Sequence, residues 1–96
     1  QIHGAVHMGL GYALSEDFPA DPETGFPTNT TLRSLGILRA KDVPEIEIRV
    51  IEVPQPRSPY GIKGVGEIGL VPTAPAVAAA LRALDGGWRT TLPLRR

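Results

Sequence analysis

The stretch Lys63-Gly64-Val65-Gly66-Glu67-Ile68-Gly69 suspends one carboxylate in a bed of glycines. With Gly61 just upstream, the chain places glycine where a side chain would hinder close approach to the backbone. Apolar Val65, Ile68 and Leu70 surround Glu67 in sequence. Their presence predicts a partly desolvated carboxylate, with its pKa raised toward the range useful to a general base.

Outward from this loop the chain reads as helix, long loop, strand, glycine-rich loop and helix, an α/β or α+β arrangement in a single unit over residues 1–96. Ile2, Val6, Leu10, Ala13 and Leu14 recur at helical spacing and predict a first helix with one buried stripe. It ends near Asp17, ahead of Pro19 and Pro22. Glycines 4, 9 and 11 weaken that helix by about 1 kcal/mol each relative to Ala, a cost that close packing against a neighbour would explain. Residues 18–31 form a loop with a turn at Pro22-Glu23-Thr24-Gly25, and residues 31–40 fit neither period. In residues 45–53, Ile46, Ile48 and Val50 alternate with Glu45, Glu47 and Arg49, which predicts a strand closed by Pro54 and Pro56. A second helix follows Thr73, its expected N-cap, with Val77, Ala80, Leu81 and Leu84 as the buried stripe and Gly86-Gly87 as the C-terminal cap. Residues 88–94 read as a short extended tail.

Composition excludes several function classes. Lys+Arg and Asp+Glu number 10 each among 96 residues, with no basic stripe, so nothing points to nucleic acid or an anionic membrane. The apolar share of 42% suits a globular chain, and its longest apolar run is too short for a membrane span. Absence of cysteine removes disulfides, thiolate metal sites and iron–sulfur ligands. No secretory signal is visible, so the glycosylation pattern Asn29-Thr30-Thr31 carries no weight and the expected location is cytoplasmic. The opening Gln1-Ile2-His3-Gly4 lies already inside a helical pattern, and we expect a fragment of a larger protein.

Three constellations bear on chemistry. Gly64-Val65-Gly66-Glu67-Ile68-Gly69 spells G-x-G-x-x-G, with Asp85 downstream. A dinucleotide site needs an apolar strand directly before it and a helix opening at the last glycine. Pro59-Tyr60-Gly61-Ile62-Lys63 precedes it and Pro72 and Pro75 delay the helix, so the pattern is not that fingerprint. His3 and His7 share a helix face at i and i+4, but without a third ligand they are expected to be structural, and no metal ligands are assigned. Lys63 and Glu67 could form no more than a surface ion pair.

Taken with Gln1-Ile2-His3-Gly4 and Met8-Gly9-Leu10-Gly11-Tyr12-Ala13-Leu14, the motif Lys63-Gly64-Val65-Gly66-Glu67 resembles the C-terminal end of the molybdenum-binding subunit of the xanthine dehydrogenase/aldehyde oxidase family. The resemblance implies that Glu67 is the catalytic base. It implies that Gln1 contacts the pterin and that the backbone at Gly66 lies against the molybdenum centre. It further implies hydroxylation of an N-heterocycle or aldehyde with water as the oxygen source. The cofactor would be molybdopterin, or its cytosine dinucleotide form, with iron–sulfur clusters and FAD on other domains or subunits. The rest of the molybdenum subunit and those redox subunits would be its partners. His3 stands where the family often has Glu, and Ala5 where a second glycine is common, which points to a divergent bacterial member. The rival reading is a noncatalytic interaction or packing domain whose glycine loop is only structural. A catalytic Glu67 should face a cleft shared with the Gly64–Gly66 backbone and the start of the first helix; a structural loop should leave it solvated or paired with Lys63.

Overall fold

Glycine, alanine and a single threonine, rather than large aliphatic side chains, form the contact around which this chain is arranged. The computed structural model describes residues 1–94. Helix α1 covers Ile2–Leu14 and helix α2 covers Thr73–Asp85, and the two pack against each other. Single 3-10 turns lie at Ala40–Asp42 and Pro59–Gly61.

The buried residues of α1 are Ala5, Gly9, Gly11 and Ala13, whereas Ile2, Val6 and Leu10 are half-buried and Leu14 is exposed. The expected aliphatic stripe is therefore displaced by a seam of small residues. Two of the three helix glycines meet the anticipated close neighbour. A Cβ on Gly9 would lie 2.6 Å from the Cβ of Thr73, and one on Gly11 would collide with the Glu16 carboxylate. Gly4 has nothing within 4 Å.

In α2 only Thr73 is buried; Val77 and Leu81 are half-buried, Ala80 is exposed and Leu84 remains 69% exposed. Thr73 is not the N-cap. Pro72 holds that position, and the Thr73 hydroxyl donates instead to the Gly69 carbonyl. The other end follows expectation: Gly86 adopts φ 74° and its N–H bonds to the Arg82 carbonyl, an αL cap suited to glycine. Beyond it the Arg82 guanidinium lies 3.5 Å over the Trp88 ring, and Arg89 pairs with Asp85. The tail returns to α1, where the Leu94 N–H donates to the Ala13 carbonyl at 2.6 Å and the Leu94 side chain is buried.

The connection after α1 folds back on itself through one isolated antiparallel bridge between Ala20 and Pro27. Its turn is the one expected at residues 22–25. Asp21 Oδ1 accepts the backbone N–H groups of Thr24 and Glu23 and the Thr24 hydroxyl, which hold the Asp21 carboxyl below its ordinary pKa.

The predicted strand at residues 45–53 is not formed, and the α/β class is corrected to two helices joined by turns and extended segments, without a sheet among the described residues. Residues 45–53 have no ladder partner among the described residues. Val50, Ile51 and Val53 stand 72%, 87% and 61% exposed, so neither the backbone nor the apolar face is satisfied as a strand requires.

The seam makes a contrast between glycines testable. Gly9→Ala would force a methyl into Thr73, a buried side chain fixed at the start of a helix, and such overpacking typically costs about 1–3 kcal/mol. Gly4→Ala meets open space and should gain helix propensity. In the intact protein, Gly9→Ala should lower the thermal unfolding midpoint and Gly4→Ala should not; equal midpoints would refute the seam.

Candidate functional site

The glycine loop meets α1 at the loop's C-terminal end. A Cβ built on Gly69 would lie 3.2 Å from the Ala5 Cβ, 3.5 Å from the Ile2 carbonyl and 3.5 Å from Val6 Cγ2. Gly69 is thus seated on the first turn of α1, the turn whose N-cap is Gln1 and in which the Ala5 N–H bonds to the Gln1 carbonyl. Two successive turns then lead into α2: the Leu70 N–H donates to the Glu67 carbonyl at 3.0 Å, and the Thr73 N–H to the Leu70 carbonyl at 3.2 Å. Glu67 therefore stands two residues before the point where the loop docks on the Gln1 end of α1.

The preceding part of the loop has no such support. Gly64 and Gly66 have nothing within 4 Å of a Cβ position, and neither adopts the left-handed backbone. Neither steric crowding nor φ within this chain explains these two glycines. Val65 and Ile68 are 42% and 58% exposed and Glu67 itself is exposed, so the apolar enclosure expected around its carboxylate is absent from the described residues. The expected alternative, a pair with Lys63, is not formed either: the ion pairs among the described residues join Arg49 to Glu47 and Arg89 to Asp85. Gln1, Gly66 and Glu67 are all solvent-facing.

The two histidines act as tethers. His7 Nε2 lies 2.9 Å from the Leu38 carbonyl and His3 Nε2 3.3 Å from the Ile46 carbonyl, which fastens the segment between these positions, with its 3-10 turn, along one face of α1. An imidazole nitrogen facing a carbonyl must carry the proton, so that nitrogen is a donor and not a metal ligand. No group of three or more His, Cys, Asp or Glu side chains able to hold a metal occurs among the described residues. No helix among them is long and apolar enough to cross a membrane.

The chain is 35% identical over 94 residues to the xanthine dehydrogenase molybdenum-binding subunit of Escherichia coli O157:H7. It belongs to the xanthine dehydrogenase/aldehyde oxidase family of molybdenum hydroxylases. That alignment takes in 98% of the chain but only 12% of the relative. The aldehyde oxidoreductase of Megalodesulfovibrio gigas is 33% identical over 87 residues, 90% of this chain and 9% of that protein. Among solved structures, quinoline 2-oxidoreductase from Pseudomonas putida 86 superposes with a TM-score of 0.84 at 36% identity, over 96% of this chain and 12% of that one. Residues 1–44, which hold α1 and the Asp21 turn, match the family model described as a molybdopterin cofactor-binding domain. Glu67 lies outside those residues. In this chain the sequence locates the loop but not its fastening: a threonine ahead of a helix suggests a cap, although the place of Thr73, four residues after Gly69, is also the spacing of a side chain bonding back to a carbonyl.

Proposed function

We infer that this chain is the C-terminal part of the molybdenum-binding subunit of a hydroxylase, and that Glu67 is its general base. The observation that carries the reading is the seating of Gly69 on the first turn of α1, which brings the loop bearing Glu67 to the helix end bearing Gln1. Open space at Gly64 and Gly66 fits a large planar group approaching bare backbone from outside the chain. Gln1 would hold the pterin through its carboxamide, and Gly66 would offer backbone without a side chain in the way.

The net reaction converts a C–H bond and water into C–OH, two protons and two electrons. The molybdenum cofactor, when bound, takes up the electron pair. A Glu67 carboxylate oxygen receives one proton from the water-derived oxygen as it becomes the nucleophile. We assign the substrate to N-heterocycles or aldehydes, whose reacting carbon is electron-poor. The relatives named for xanthine, quinoline and aldehyde support that class. Iron–sulfur and flavin groups would reside on other domains or subunits, since this chain has no cysteine to ligate a cluster. We place the enzyme in the cytoplasm.

Exposure of Glu67 favours the second reading, a noncatalytic packing unit with a structural loop. Glu67→Gln in the molybdenum-loaded enzyme separates the two: turnover lost with molybdenum retained supports the base, and turnover kept supports packing alone.

A further inference from the structure

Among the described residues, the loop that carries Glu67 is tied to the two helices from its downstream side, while its upstream end at Gly61 and Ile62 bonds only to the neighbouring turn at residues 54–59. Upstream, Gly64 and Gly66 have open space around a Cβ position, and residues 62–68 are exposed. Downstream, Thr73 is the one buried residue of α2, and it makes three connections at once. Its side chain rests on Gly9 of α1, its hydroxyl donates to the Gly69 carbonyl, and its N–H donates to the Leu70 carbonyl. The Leu70 N–H in turn donates to the Glu67 carbonyl. A continuous series of bonds thus runs from the seam between the helices to the backbone of Glu67.

We propose that Thr73 is a positioning residue for the reaction, its hydroxyl setting where the Glu67 loop sits relative to α1. This rests on Glu67 being the base. A misplacement of about 1 Å in a reacting group can cost about 10²-fold in rate, so a hydroxyl fixing that loop acts on turnover without touching substrate. Thr73→Val keeps the branched shape against Gly9 and leaves the Gly69 carbonyl without its donor; Thr73→Ser keeps the donor.

The experiment is a cycle in the molybdenum-loaded enzyme, with rates referred to bound molybdenum. Thr73→Val should lower kcat about 10- to 100-fold with KM changed less than about twofold, and Thr73→Ser should restore kcat to within about threefold. In a Glu67→Gln background, Thr73→Val should cost nothing further, because it acts through Glu67. A Thr73→Val enzyme with unchanged kcat, or one losing the same factor in both backgrounds, overturns the proposal. Should Glu67→Gln alone keep full turnover, the base assignment falls by itself, and hydrogen exchange at the Leu70 amide decides on Thr73. Faster exchange in Thr73→Val supports the fastening, and unchanged exchange overturns it.

Discussion

Glu67→Gln in the molybdenum-loaded enzyme should reduce kcat by about 10²–10⁴-fold, the usual contribution of a positioned base. The substitution keeps the side-chain shape and replaces one carboxylate oxygen by an amide that cannot take a proton. Glu67 is exposed and makes no side-chain hydrogen bond among the described residues, so its neighbours lose nothing on substitution. Stability should change by less than about 0.5 kcal/mol, as at other exposed positions. Molybdenum content should therefore match the wild type. The interaction removed exists only as the nucleophile loses its proton, so kcat and kcat/KM should fall together while substrate affinity holds. Near-normal turnover would make the loop a structural connection.

Local chemistry was legible in the sequence wherever the cause lies within a few residues. Gly86 closes α2 at Asp85 as expected, whereas α1 ends at Leu14, three residues before the expected stop near Asp17 and well ahead of Pro19. Asp21 and Gly25 make their turn with groups no more than four residues apart. What failed were statements about faces. Alternation at residues 45–53 says which side chains would share a face, not whether a neighbouring strand is at hand, and the described chain supplies none. The helical stripes failed for a related reason. Leu14, Ala80 and Leu84 stand exposed because the partner of each helix is the small-residue seam of the other, and the seam was visible only as unexplained glycine in α1. Gln1, Gly66 and Glu67 were found from motif resemblance. The contact that seats Gly69 on the first turn of α1 is one that no spacing along the chain reveals.

That thin seam leads to the second large effect: the 96-residue chain, produced alone, should neither fold cooperatively nor hold molybdopterin. Among the described residues the buried apolar ones are Ala5, Ala13 and Leu94, and none of the large side chains is fully buried. Ordering the backbone costs about 1–2 kcal/mol per residue, which these three side chains and one threonine cannot offset. The surface says the same. The chain exposes 7896 Å², where a compact monomer of 10.2 kDa exposes about 5,300 Å². Its radius of gyration is 16.8 Å, against about 12.5 Å for a compact domain of this length. Each helix has 13 residues, the length at which isolated helices are marginal in water, and α1 carries glycines at 4, 9 and 11. The purified chain should thus show little helical circular dichroism and a gradual response to urea, with molybdopterin far below one equivalent. A sharp urea transition with the slope of a folded small protein, about 1–3 kcal/mol per molar, together with one equivalent of bound pterin, would contradict this. It would mean that the Thr73–Gly9 seam and the open glycines at 64 and 66 suffice to build the cofactor site, which Ala5, Ala13 and Leu94 are too few and too small to support.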